Sequence, residues 1–215
     1  MTNVTIIDYG LGNLYSVQRG LEQCGVGVTI SADPKVIVGA SRLILPGVGA
    51  FSNAMQELQR IGLVDAICEF AVSGRPLLGI CLGMQLLLDE SEEFGVNRGL
   101  GIIPGRVVPV PATTTTGEPQ KIPHIGWNEL VSTPGSALWT DSILSKVNAG
   151  DAVYFVHSFM AQLEQPVDCL ADCVYGGHRV TSVIRRGNVL GCQFHPEKSG
   201  EVGLAILKEF CTVKT

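Results

Sequence analysis

The sequence predicts an α/β fold in which a central mixed, largely parallel sheet is flanked by helices, and three observations carry that reading. In the first half, short β-branched runs alternate with helically spaced ones, the signature of stacked βαβ units. In the second half, strand-like runs follow one another too closely to be parallel neighbours, which need a long crossover, so the sheet must become mixed. Hydrophobic residues make up 46% of the 215 and charged residues only 16%. The average soluble domain carries roughly 25% charged residues, so this chain has the apolar content for one large core.

Taken in order, residues 4–7 form a first strand, 13–24 a helix, 26–30 a strand, and 42–45 a strand stopped by Pro46. Helices follow at 52–60 and 63–72, punctuated by Gly74 and Pro76, which break periodic structure. Residues 77–80 read as a buried strand, and 82–93 has the spacing of a helix. Strands are then predicted at 107–110, 127–131, 152–156, 170–175, 180–185 and 189–194, with a closing helix at 201–210. The stretch PATTTTGEPQ at 111–120 is polar and turn-rich, the composition of an exposed flexible loop. No internal repeat or linker divides the chain, so residues 1–215 are expected to form a single domain.

Charge and composition narrow the function. The net charge is −5 and the 15 Lys and Arg are spread thinly, leaving no basic stripe to neutralise a row of phosphates, so nucleic acid is not an expected partner. The longest apolar stretch, 77–88, contains Gln85 and is too short to span a bilayer, and no membrane association is expected. The N-terminus enters a strand without a basic signal region, and seven scattered cysteines read as reduced thiols of a cytoplasmic protein. Cys169, Cys173 and His178 lack the C-x2-C turn of a zinc site, and no metal is expected.

Three segments carry chemistry. In Gly79-Ile80-Cys81-Leu82-Gly83 a cysteine sits between glycines at a strand-to-helix junction. A cysteine in an apolar run is ordinarily core. On such an elbow, however, the side chain projects above the sheet, and the helix N-terminus favours its thiolate. In His195-Pro196-Glu197, residues two apart in an extended segment face one side, so the carboxylate can orient the imidazole, although an isolated H-P-E is equally a surface loop. Leu45-Pro46-Gly47-Val48-Gly49 is a glycine-flanked turn past a strand, able to offer a backbone N–H to a developing oxyanion, with the Leu82 amide as second donor.

Together these segments resemble the class I, triad-type glutamine amidotransferases, whose order P-G-x-G, G-x-C-x-G-x-Q, H-P-E runs through nearly the whole chain. The resemblance implies that family's fold, with Cys81 as nucleophile, His195 as base and Glu197 as its orienting acid. It implies no cofactor. Further segments, Asp8-Tyr9-Gly10-Leu11-Gly12-Asn13, Pro123-His124-Ile125-Gly126-Trp127-Asn128 and Tyr154-Phe155-Val156-His157-Ser158, resemble the family's branch in histidine biosynthesis. There a glutaminase subunit passes ammonia to a (β/α)8-barrel synthase subunit, which makes imidazole glycerol phosphate and an aminoimidazole carboxamide ribonucleotide. By the same resemblance, Gly49, Gln85, Glu93, Ser158 and Phe159 hold glutamine, with Val48 and Leu82 as oxyanion donors. Asn13, His124, Trp127, Tyr154 and Lys198 face the partner.

Two alternatives stand beside this reading: the amidotransferase of pyridoxal phosphate synthase, which also serves a barrel, and a non-catalytic regulatory relative that keeps the fold. Control of ammonia release is expected to reside in the Pro46–Gly49 turn, with the Val48 N–H turned away at rest and turned inward by partner and ligand. Gly47→Pro is expected to lock it.

Overall fold

The computed structural model describes residues 3–134 and 139–213. The chain runs through β1 (Asn3–Ile7), α1 (Leu14–Gln23), β2 (Gly27–Ser31), α2 (Pro34–Gly39), β3 (Leu43–Leu45), α3 (Phe51–Arg60), α4 (Val64–Val72), β4 (Leu77–Ile80) and α5 (Leu82–Leu86). It continues through β5 (Glu90–Ser91), β6 (Asn97–Arg98), β7 (Gly105–Pro109), β8 (His124–Glu129), β9 (Val131–Ser132), β10 (Ala152–His157) and β11 (Phe159–Leu163). The last elements are β12 (Cys169–Tyr175), β13 (His178–Arg186), β14 (Val189–Cys192) and α6 (Gly200–Thr212).

Eight strands form the main sheet in the order β2-β1-β3-β4-β14-β13-β12-β9. The five from β2 to β14 are parallel, and the remaining three join antiparallel, which is the mixed sheet the close spacing of the later strands demands. Alternate residues of the parallel strands feed two separate cores. Ile7, Leu43, Leu45 and Leu77 pack on one face with α3, α4 and α5, while Ile6, Ile44, Leu78 and Ile80 pack on the other with α1 and α6. Burial of both faces is why these strands read as continuous apolar runs instead of alternating ones.

Local chemistry sets the helix starts. The Asn13 side chain accepts a hydrogen bond from the Ser16 N–H at 3.4 Å, and Asp33 accepts from Lys35 at 2.8 Å with Pro34 in the first turn, both N-cap arrangements. The short α2 has too few apolar positions to stand out in the sequence.

The expected helix at 82–93 is a correction: α5 ends at Leu86. The Leu86, Leu87 and Leu88 carbonyls are taken by the N–H groups of residues 100–103, so a returning segment replaces the helical ladder and Glu90–Ser91 becomes a strand. That segment belongs to a second, four-stranded sheet, β11-β7-β5-β6, whose members β5, β6 and β11 have no clear sequence pattern. The stretch 111–120 is exposed, as expected, but it is a hydrogen-bonded hairpin and no slack loop. Thr114 N–H donates to Glu118 at 2.7 Å and Thr115 N–H to Gly176 at 2.9 Å, and the His178 ring meets the Thr113 carbonyl at 2.8 Å.

Candidate active site

Residues that follow the C-terminal ends of four adjacent parallel strands meet at one place: Tyr9 after β1, Pro46–Gly49 after β3, Cys81 after β4 and His195 after β14. This is the edge of an open α/β sheet where sites assemble. Cys81 has φ 54° and ψ −112°, a left-handed conformation that costs a non-glycine residue about 1–3 kcal/mol. The surroundings enforce it. The Cys81 N–H still donates to Cys192 at 2.7 Å, while its carbonyl already accepts from Met84 at 3.0 Å and Gln85 at 3.2 Å. The flanking glycines are steric requirements: a Cβ at Gly79 would stand 2.6 Å from the Gly83 oxygen, and one at Gly83 would overlap the Leu45 carbonyl.

His195 is extended, with φ −100° and ψ 96°, but Pro196–Lys198 is a 3-10 turn. The expected extended alternation is therefore not what pairs His195 with Glu197; the turn brings the carboxylate to the Nδ1 edge of the ring. Glu197 Oε1 lies 2.7 Å from His195 Nδ1, and both side chains are buried. With Nδ1–H donated to the carboxylate, Nε2 is the nitrogen left to face Cys81 across the cleft that both residues line. Burial works against a charged ring here, but the hydrogen bonds and charges of Cys81 and Glu197 outweigh it and push the His195 pKa up to about 10. Ser199 latches the arrangement, donating to the His195 carbonyl at 2.6 Å and accepting from the Tyr154 N–H at 3.0 Å.

A cleft of about 340 Å³ opens above the sulfur, and Val48, Gly49, Leu82, Gln85, Glu93, Ser158 and Phe159 line it together with Cys81 and His195. Every residue named from the sequence on the glutamine side is thus brought to one cavity. Their present partners refine what they can do. Both N–H groups of Gln85 are committed, to the Phe159 carbonyl and to Gln193 Oε1, each at 3.0 Å. Glu93 Oε2 accepts from the Phe51 N–H at 2.6 Å and so caps α3, whose N-cap residue Ala50 has no side-chain acceptor.

The turn itself is gripped from behind: the Tyr9 hydroxyl donates to the Pro46 carbonyl at 2.8 Å. A Cβ at Gly47 would meet that hydroxyl at 2.7 Å and the Gly83 nitrogen at 2.9 Å. Gly47 is there for close packing, so Gly47→Pro would collide instead of locking the turn. Tyr9, Gln193 and Ser199 also contact this machinery, and the sequence assigns them no role. Their signal was present only as the neighbours of motif residues.

The expected partner-facing residues separate into two groups. Trp127 is 59% exposed and stands edge-to-face with half-buried Tyr154 at 6.0 Å, and Lys198, which follows Glu197 in the chain, is exposed. Asn13 is the cap of α1. His124 differs: it is 2% exposed, stacked between Phe155 and Tyr175, with its Nδ1 3.0 Å from His157 Nε2. It lies behind the surface and supports the cleft wall.

The profile of the family described as "Glutamine amidotransferase class-I" matches residues 5–213. The chain belongs to the class I glutamine amidotransferases. Within them, this amidotransferase is 50% identical over 213 residues, 99% of its own chain and all of the other, to "Imidazole glycerol phosphate synthase subunit HisH 1" of Legionella pneumophila (strain Lens). It is 45% identical to the HisH subunit of Geobacter sulfurreducens, with all of both chains covered. Two solved structures share the fold at a TM-score of 0.71: a glutamine amidotransferase, at 19% identity over 98% of this chain and 99% of that one, and PurLQS from Thermotoga maritima, at 18% over 98% and 97%. Among the described residues, no helix of this amidotransferase is long and apolar enough to cross a membrane.

Proposed function

We propose that this chain is the glutaminase subunit of an imidazole glycerol phosphate synthase, hydrolysing glutamine to glutamate and ammonia through Cys81, His195 and Glu197. The Cys81 sulfur attacks the glutamine carboxamide carbon, and the oxyanion that forms is met by the Val48 and Leu82 N–H groups. The C–N bond breaks as His195 passes its proton to the departing ammonia. Water then attacks the thioester, giving its proton to His195, and the C–S bond breaks to release glutamate and the thiolate. Glu197 keeps the ring oriented and charged. Gly49, Glu93, Ser158 and Phe159 hold the amino-acid end, with Gln85 fixing the wall behind them.

The ammonia passes to a (β/α)8-barrel synthase subunit, docked over Asn13, Trp127, Tyr154 and Lys198, in the cytoplasm. One observation supports this reading over the pyridoxal phosphate branch and over an inactive relative: full-length identity of 45–50% to HisH subunits in a chain whose Cys81 and His195 line one cleft and whose Glu197 is hydrogen-bonded to His195. The test is Cys81→Ala in the complex with a synthase subunit. Glutamine-dependent product formation should vanish while synthesis from ammonium salt persists, and product formed from glutamine by the variant would refute the assignment.

A further inference from the structure

One backbone carbonyl dictates the direction of the hydrogen bonds around the sulfur. The Phe159 oxygen, which can only accept, meets Gln85 Nε2 at 3.0 Å and His157 Nδ1 at 2.9 Å. Gln85 must therefore present its NH2 group to that carbonyl, and the same group donates to Gln193 Oε1 at 3.0 Å. With its oxygen thus facing Gln85, Gln193 can only turn its NH2 group toward Cys81, and Nε2 stands 3.8 Å from Sγ. The network therefore fixes the orientation of both amides.

Gln193 is wholly buried, its own N–H donates to Ser182 at 2.9 Å, and the parallel register that pairs Cys192 with Ile80 sets it alongside Cys81. A buried carboxamide is costly unless its groups are paired, and both ends of this one are aimed at active-site atoms. We propose that Gln193 is a catalytic residue of the reaction: its amide N–H donates to the Cys81 sulfur and stabilises it as the attacking thiolate. The role requires a neutral donor. An oxygen in its place would turn a lone pair toward the anionic sulfur.

This inference rests on the reading of Cys81 as nucleophile, and the experiment separates the two. Cys81 is alkylated with iodoacetamide, which forms an S–C bond and expels iodide, and the rate is followed by mass spectrometry of the Cys81 peptide. In the unmutated protein, alkylation should abolish glutaminase activity; if activity survives, the nucleophile reading fails and the role of Gln193 falls with it, whatever the variants show. In Gln193→Met, which keeps length but has no donor, alkylation at pH 7 should fall about tenfold, the scale of a lost hydrogen bond to a charged group, and recover as the pH is raised. In the isosteric Gln193→Glu, which still accepts from Gln85, it should fall further. The glutaminase kcat should follow both, with KM for glutamine within about twofold and synthesis from ammonium by the complex retained. In the unmutated protein, the Gln193 side-chain amide resonances should move on forming the thiolate. Alkylation rates unchanged in folded variants, or amide resonances indifferent to the thiolate, would overturn the proposal.

Discussion

Lowering the pH from 6.5 to 4 tests the buried histidine pair on which the cleft wall rests. His157 Nδ1–H must donate to the Phe159 carbonyl, so His157 Nε2 accepts from His124 Nδ1–H at 3.0 Å, and His124 Nε2 is left facing the Asn128 amide at 3.4 Å. Neither ring can take a second proton without setting two donors against each other. Burial depresses both pKa values to about 4. For His157 the hydrogen bond to Phe159 partly opposes this, while the charges of His124 and His195 add to it. The surrounding rings, Phe155 and Tyr175, supply no compensating negative charge.

Both folded values lie below the unfolded value of about 6.5, so between those limits the unfolded chain binds protons that the native one refuses. Stability is therefore fully present above pH 6.5 and lost as the pH falls to about 4. A shift of this size is worth on the order of 3 kcal/mol for the first ring, and the second proton is harder to add because the rings share a hydrogen bond. Urea unfolding at pH 7, 6, 5 and 4 measures it. His124→Phe keeps the stack on Phe155 and Tyr175 but removes one titrating ring, so its stability should change with pH less steeply, by up to about 1.4 kcal/mol per pH unit. An identical slope in the variant and the unmutated protein would refute the account.

Glu197→Gln keeps an oxygen for His195 but removes the charge, and should lower the glutaminase kcat about 10- to 30-fold, whereas His195→Ala should approach the loss seen without Cys81; steady-state glutamate release distinguishes them. Gly83→Ala forces a methyl into the Leu45 carbonyl and should lower stability by about 1–3 kcal/mol or more in thermal unfolding, with loss of glutaminase activity even where the protein still folds. Lys198→Glu, at an exposed position, should weaken binding of the synthase subunit in titration calorimetry without altering circular dichroism; unchanged affinity would remove Lys198 from the docking surface.

Much of this protein was legible in the sequence because it depends on local chemistry. The parallel strands announce themselves as apolar runs, and glycine spacing marks the elbow because only glycine permits backbone to approach backbone at residues 79 and 83. Cys81, His195, Val48 and Glu93 are grouped without any structure by the resemblance to the amidotransferase family, which supplies an order of motifs that no single segment carries. What the tertiary structure alone decided is everything set by register and by neighbours distant in the chain. The truncation of α5 depends on carbonyls captured by residues 100–103, and the 3-10 turn that places Glu197 has no period to detect. His124 reads as a partner-facing residue until Phe155 and Tyr175 stack against it. Gln193 acquires a role only when β14 is laid in register beside β4, since a hydrogen bond between residues 112 positions apart leaves no periodic trace in either segment.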